Sequence, residues 1–214
     1  MADEQKYRMK KRKSRIRKRY FIPLVLVALV IVLVIGCSSG SDDANETTLT
    51  ISSKGVITHR IVESFDKSYY DEDELREQIE DQVAEYCADK GDDKAVKLKF
   101  LKVEDGLATA ELTFAGYSDY ADFNDVDFFY GTISEALQNE YSSDVTLKSS
   151  EDEETIGKYE FEALGDSMII VTGEPLLLKV PGKIAYTTAN IDVIDKDMAK
   201  MASDSAGVGY IVLK

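Results

Sequence analysis

The chain has 214 residues, 44% of them hydrophobic and 31% charged, a composition that excludes disordered and collagen-like proteins and fits one or two globular domains. The formal net charge of -14 is unevenly spread: residues 1–36 hold 10 Lys and Arg against 2 Asp and Glu, and residues 37–214 hold 16 against 38. A body this acidic repels phosphate backbones, so no nucleic-acid partner is expected, and one His, two Cys and no Trp exclude most His-based catalysis and any disulfide framework.

Residues 6–19 carry ten cations, and the apolar run 21–35 follows at once, interrupted only by Pro23. Gly36, Cys37, Ser38, Ser39, Gly40 and Ser41 come next. A basic head, an apolar stretch and small residues are the parts of a secretory signal, and the head stays inside because moving cations across a membrane is costly. The box Val34-Ile35-Gly36-Cys37 resembles the lipobox of bacterial lipoprotein precursors. That resemblance implies lipidation of the Cys37 thiol by a diacylglycerol and removal of residues 1–36 as a signal peptide. Membrane lipid is then the partner at the N-terminal end, and the protein is lipid-anchored on the outer side of the cell membrane. Two acyl chains suffice for stable anchoring where one does not. The alternative is a retained single-pass helix: residues 20–37 offer 18 positions, against about 20 needed to span a bilayer. Either way the body is extracytoplasmic and belongs to the cell envelope.

Residues 37–48 form a flexible tether rich in Ser, Asp and Asn, and residues 49–214 a single domain. Residues 38–48, fully extended, reach about 37 Å. Within the domain, segments 49–52 and 56–65 predict a hairpin around Ser53-Lys54-Gly55. Residues 71–89 predict a helix: acids crowd its first turn, Leu75, Ile79, Val83, Tyr86 and Cys87 share a face, and Gly91 ends it. A second hairpin joins 94–103, with Val96, Leu98 and Phe100 on one side, to a return strand on which Ala108, Ala110, Leu112 and Phe114 alternate. A second helix is expected over 127–141, with Phe129, Ile133, Ala136, Leu137 and Tyr141 inward. Strands follow at 145–148, 158–164, 167–171, 176–180, 183–188 and 209–213. The expected fold is α+β, a mostly antiparallel β-sheet with two packed helices, preceded by the N-terminal signal or membrane helix. The stretch from Val180-Pro181-Gly182 to Gly209-Tyr210-Ile211-Val212 is similar to the ends of uncharacterised lipoproteins of Gram-positive anaerobes, a resemblance that implies no activity.

Catalytic signatures are missing: there is no G-x-S-x-G, no phosphate-binding Gly loop, no H-E-x-x-H and no C-x-x-C. Cys87 lies on the apolar helix face and reads as a buried thiol, and His59, on the side of Ile57 and Ile61, as a core or rim histidine. No catalytic residue and no metal centre is assigned. Residues 114–130 gather seven of the 20 Phe and Tyr, interleaved with Asp residues. Aromatic faces beside carboxylates can stack on sugars and accept hydroxyl hydrogen bonds, so the candidate ligand-binding set is Tyr117, Tyr120, Phe123, Asp119, Asp122 and Asp125. The competing role for the same residues is to pin the segment to the core and cap turns. No cofactor is expected beyond weak Ca²⁺ binding by the acids. The expected function is a non-catalytic ligand-binding or interaction module whose partner is a glycan or an envelope protein. A carboxylate-based glycan hydrolase and a structural subunit of an envelope complex are the alternatives.

Overall fold

The structure, a computed structural model, describes residues 46–152, 154–203 and 207–214; the signal segment, Cys37 and most of the tether lie outside the described residues. Leu49 and Ile51 alternate with Thr48 and Thr50, a two-residue period that makes Thr48–Ile51 a strand with one apolar and one polar side (β1). Glu46 and Thr47, within the expected tether, already contact the body: Glu46 pairs with Lys200, and the backbone N–H of Val62 donates to Thr47 Oγ1 at 3.0 Å. The expected hairpin is completed by Ile57–Ser64 (β2), which runs antiparallel to β1.

The first helix spans Glu72–Lys90 (α1). Asp71 caps it by accepting hydrogen bonds from the backbone of Asp73 and Glu74, and Gly91, at φ 69°, closes it in the left-handed region. Leu75, Ile79, Val83, Tyr86 and Cys87 lie half-buried on the core. Val96–Glu104 (β3) and Leu107–Phe114 (β4) form the second hairpin. Its register shifts between Leu98 and Phe100, leaving Lys99 as the extra residue of a bulge. Beyond the bulge the faces exchange: Leu101 is buried and Phe100 is exposed, reversing the expected inward Phe100.

Residues 115–141 depart further from expectation. A helix, Tyr117–Asn124 (α2), precedes a strand, Phe128–Thr132 (β5), and a short helix, Ile133–Gln138 (α3), where one helix over 127–141 was expected. Thr132 explains the break. Its hydroxyl accepts from the Glu135 backbone while the Glu135 carboxylate accepts from the Thr132 backbone, so the helix starts there. After Leu147–Ser149 (β6) and Thr155–Ile156 (β7), the segment expected as a strand at 158–164 is a helix, Lys158–Ala163 (α4). Its alternating sequence imitates a strand, yet Phe161 is its one buried residue and Tyr159 is 81% exposed. Met168–Thr172 (β8), Leu177–Lys179 (β9), Ile184–Thr187 (β10) and Gly209–Leu213 (β13) match expected strands. Ile191–Asp195 (β11) and Met198–Met201 (β12) add a hairpin not foreseen.

The fold is α+β with mostly antiparallel strands, but in two sheets and with four helices among the described residues. The first sheet has the order β11-β12-β9-β1-β2-β4-β3 and the second β5-β8-β13-β10-β6-β7. The β1–β9 pair is parallel and the other pairs are antiparallel. Leu49, Ile57, Leu112 and Phe114 of the first sheet share a core with Phe128, Ile170, Ile211 and Leu213 of the second and with the apolar face of α1. The opposite side of the second sheet packs Ile169, Val171, Tyr210 and Val212 against Ile133 and Ala136 of α3 and Phe161 of α4. Strand β13 is therefore buried on both sides. Its first residue must be small: a Cβ at Gly209 would stand 2.5 Å from Ile191 Cδ1.

His59 lies in the first core, 8% exposed, between Leu49 and Leu112 in the sheet. Its ring meets Tyr120 edge-on at 5.4 Å, and neither ring nitrogen has a hydrogen-bond partner among the described residues. Burial pulls its pKa down to about 4, so folding favours the neutral ring. The sign follows: His59 leaves stability intact above its unfolded pKa of about 6.5 and erodes it as the pH falls toward 4, by about 3 kcal/mol in total. Glu174, reached through Tyr120, is shifted upward by its own burial and acts in the opposite sense. Urea unfolding at pH 7 and pH 4 should show a larger loss for the parent than for His59→Leu; equal losses would exclude this origin of acid sensitivity.

Candidate functional site

The six residues expected to bind a ligand cluster on and after α2. Tyr120 is fully buried and meets the rings of Phe114 at 5.2 Å and Phe128 at 5.0 Å. Its hydroxyl donates to Glu174 Oε2 at 2.7 Å, and burial raises its pKa far above the usual phenol range. Tyr117 stacks edge-on with Phe129, and Phe123 contacts both Tyr86 and Phe114. The carboxylates face α1: Asp122 pairs with Lys90 at 2.7 Å, and Asp119 accepts from the Tyr86 hydroxyl at 3.2 Å. Burial, the largest influence, raises the Tyr86 pKa to about 12. Asp125 is the left-handed residue that ends α2. The structure thus brings all six together, with the rings engaged by other rings and two of the three acids engaged by α1.

A second constellation, which the sequence reading did not single out, comes from the strand register. Reading across the first sheet, Lys97, Thr113, Thr58, Thr50, Lys179 and Met198 are consecutive partners. The neighbouring row is Phe100, Glu111, Arg60, Thr48, Leu177, Lys200 and Asp192. Partners in a ladder point to the same side, so both rows stand on the face opposite the core. A depression of about 240 Å³ opens there, with Arg60, Glu111 and Lys179 set among Thr48, Thr50 and Thr58. Its lining residues all come from strands of this sheet. The only local hint was the alternation in β1, Thr-Leu-Thr-Ile; the neighbours that turn it into a surface come from β9 and β12, far along the chain.

Charge sets this face apart. Its strands direct outward Arg60, Lys97, Lys102, Lys179 and Lys200, against Glu104, Glu111, Asp192 and Asp195. Five cations to four carboxylates contrasts with 16 to 38 over residues 37–214. Every one of the four acids except Glu111 lies on an outer strand, β3 or β11.

Two other surface features stand out. An open groove of about 750 Å³ runs between α1 and β3, with Val83, Cys87 and Leu98 along it and Glu80, Asp92 and Asp93 among its lining residues. The Cys87 thiol, half-buried, donates to the Val96 carbonyl at 3.4 Å. In the loop before α1, the ring of Tyr70 meets both Phe65 and Tyr69, and Tyr69 is 75% exposed. Among the described residues no group of three or more His, Cys, Asp or Glu is placed to hold a metal ion, and no helix is long and apolar enough to cross a membrane. No family model, curated protein or solved structure matches the chain.

The geometry of α2 predicts a stability effect. Tyr120→Ala removes a fully buried ring and should cost about 3–5 kcal/mol. Tyr120→Phe keeps the ring, removes the donor to Glu174 and should cost about 1–2 kcal/mol. Chemical denaturation of the two variants beside the parent measures both, and an undiminished midpoint for Tyr120→Ala would exclude α2 as a core anchor.

Proposed function

We propose that the protein is an extracytoplasmic module, fastened to the outer side of the cell membrane through Cys37, that works by binding rather than by catalysis. The binding surface in this reading is the outer face of the first sheet. The observation that carries it is the depression in that face, where Thr48, Thr50 and Thr58 stand beside Arg60, Glu111 and Lys179. Pockets that hold ligands combine concavity with a few well-placed polar groups, and a sheet fixes such groups more rigidly than a loop does. The role of the aromatic segment is then to hold α2 on the core beside His59 and Phe114. The partner is a component of the envelope, a glycan or a protein, within reach of a short tether.

The anchor has its own support in the basic head, the apolar run and the box ending at Cys37. Lipidation with cleavage removes residues 1–36 and adds a diacylglycerol, whereas a retained helix leaves the full chain mass. Intact-mass analysis of protein extracted from bacterial membranes should therefore give a chain beginning at Cys37 with added lipid. Cys37→Ala should abolish both processing and the lipid mass. A Cys37→Ala protein that matures and stays membrane-bound like the parent would overturn the lipid anchor.

A further inference from the structure

From charge and register together, and resting on the reading of the first sheet's outer face as a binding surface, we infer that its ligand is an acidic glycan, a polyhydroxylated chain bearing phosphate or carboxylate groups. Lys97 and Lys179 flank the five-strand part of a row whose interior is Thr113, Thr58 and Thr50, and beyond Lys179 the row continues to Met198 and Asp195. Four strand spacings separate them, about 19 Å. Neither lysine makes an ion pair among the described residues. An extended chain laid from Lys97 to Lys179 meets a cation at each end of that stretch and a hydroxyl at every strand between. Hydroxyls both donate to and accept from sugar or polyol hydroxyls, and ammonium groups balance the anionic substituents.

The rest of the body supplies the selection. Outside this face the cations number 11 and the carboxylates 34 over residues 37–214, so a polyanion is repelled everywhere else. A neutral glycan gains hydrogen bonds but no charge pairing from Lys97 and Lys179, and no aromatic ring lines the depression for a neutral sugar to stack on. A bilayer surface is the competing anionic partner. It is flat and cannot enter the depression beside Thr50 and Thr58, whereas a single extended chain can.

The test uses the protein as extracted from membranes, processed or not, held in phosphatidylcholine nanodiscs. Binding is measured to poly(glycerol phosphate) and to polygalacturonate, with dextran as the neutral control and vesicles containing phosphatidylglycerol as the lipid control. At least one of the two acidic polymers should bind, more weakly as salt is added, and which one binds tells phosphate from carboxylate. Lys97→Glu combined with Lys179→Glu should weaken that binding about ten-fold. Lys158→Glu combined with Lys183→Glu makes the same change of net charge away from the face and should leave it within about two-fold. Thr50→Val with Thr58→Val keeps the β-branched shape and the strand, removes two hydroxyls and should weaken binding several-fold. Failure of both acidic polymers to bind, equal binding of dextran, or equal loss in the two lysine pairs would overturn the inference. Binding to the anionic vesicles alone, lost with Lys97 and Lys179, would overturn the glycan in favour of lipid while leaving the face as the binding surface. None of these results depends on Cys37 processing, so the anchor stands or falls separately.

Discussion

The four-residue strand Thr48–Ile51 is the constraint on which the first sheet depends. It pairs antiparallel with Ile57–Ser64 on one edge and parallel with Leu177–Lys179 on the other. Strands from the N-terminal half of the domain and strands from its C-terminal half therefore meet only through it in this sheet. Leu49 and Ile51 are almost wholly buried, and their alternation with Thr48 and Thr50 locks the pairing, because a slip by one residue would turn threonines into the core and leucine into water. The same alternation decides the composition of the outer face. Core and outer face are two readings of one register.

Polar groups inside the first core are few and costly. The imidazole of His59 is held neutral by burial, against Tyr120, whose hydroxyl is satisfied by Glu174. Glu174 sits in the turn after Met168–Thr172, so one hydrogen bond ties α2 to the second sheet's border. On the surface the scarce cations are shared. Glu151 accepts from both Lys183 and Lys214, which hold its carboxyl down at about 2, and Lys90 serves Asp122 at close range and Asp119 more distantly. Of the domain's few cations, Lys90, Lys183 and Lys214 make such contacts and five stand on the outer face of the first sheet.

What the sequence disclosed followed from strong local signals. The helix, expected over 71–89 and found over 72–90, was legible because its acidic first turn and its terminal glycine agree with its apolar spacing. The alternation of Ala108, Ala110, Leu112 and Phe114 was equally plain. Errors arose where two periods compete. Lys158–Ala163 alternates like a strand but offers one buried side chain, and Phe128–Thr132 has an apolar spacing that merges with the helix after it unless the Thr132 cap is noticed. The bulge at Lys99 inverted the side on which Phe100 lies, a change that no alternation pattern can announce. The aromatic set around Tyr120 was found as a cluster, while the threonine and lysine rows were invisible. They exist only once Leu177–Lys179 and Met198–Met201 have been placed beside Thr48–Ile51.

The position of that first strand has a mechanical consequence. Any pull on the polypeptide from its N-terminal side passes through Glu46 and Thr47, which already hold Lys200 and Val62, into the strand that begins at Thr48, in the middle of a seven-stranded sheet rather than at its margin. Drawing the strand out means sliding it lengthwise past both neighbours, so two ladders must rupture together instead of opening one bond at a time. A load directed along the axis of that strand therefore meets two ladders in shear.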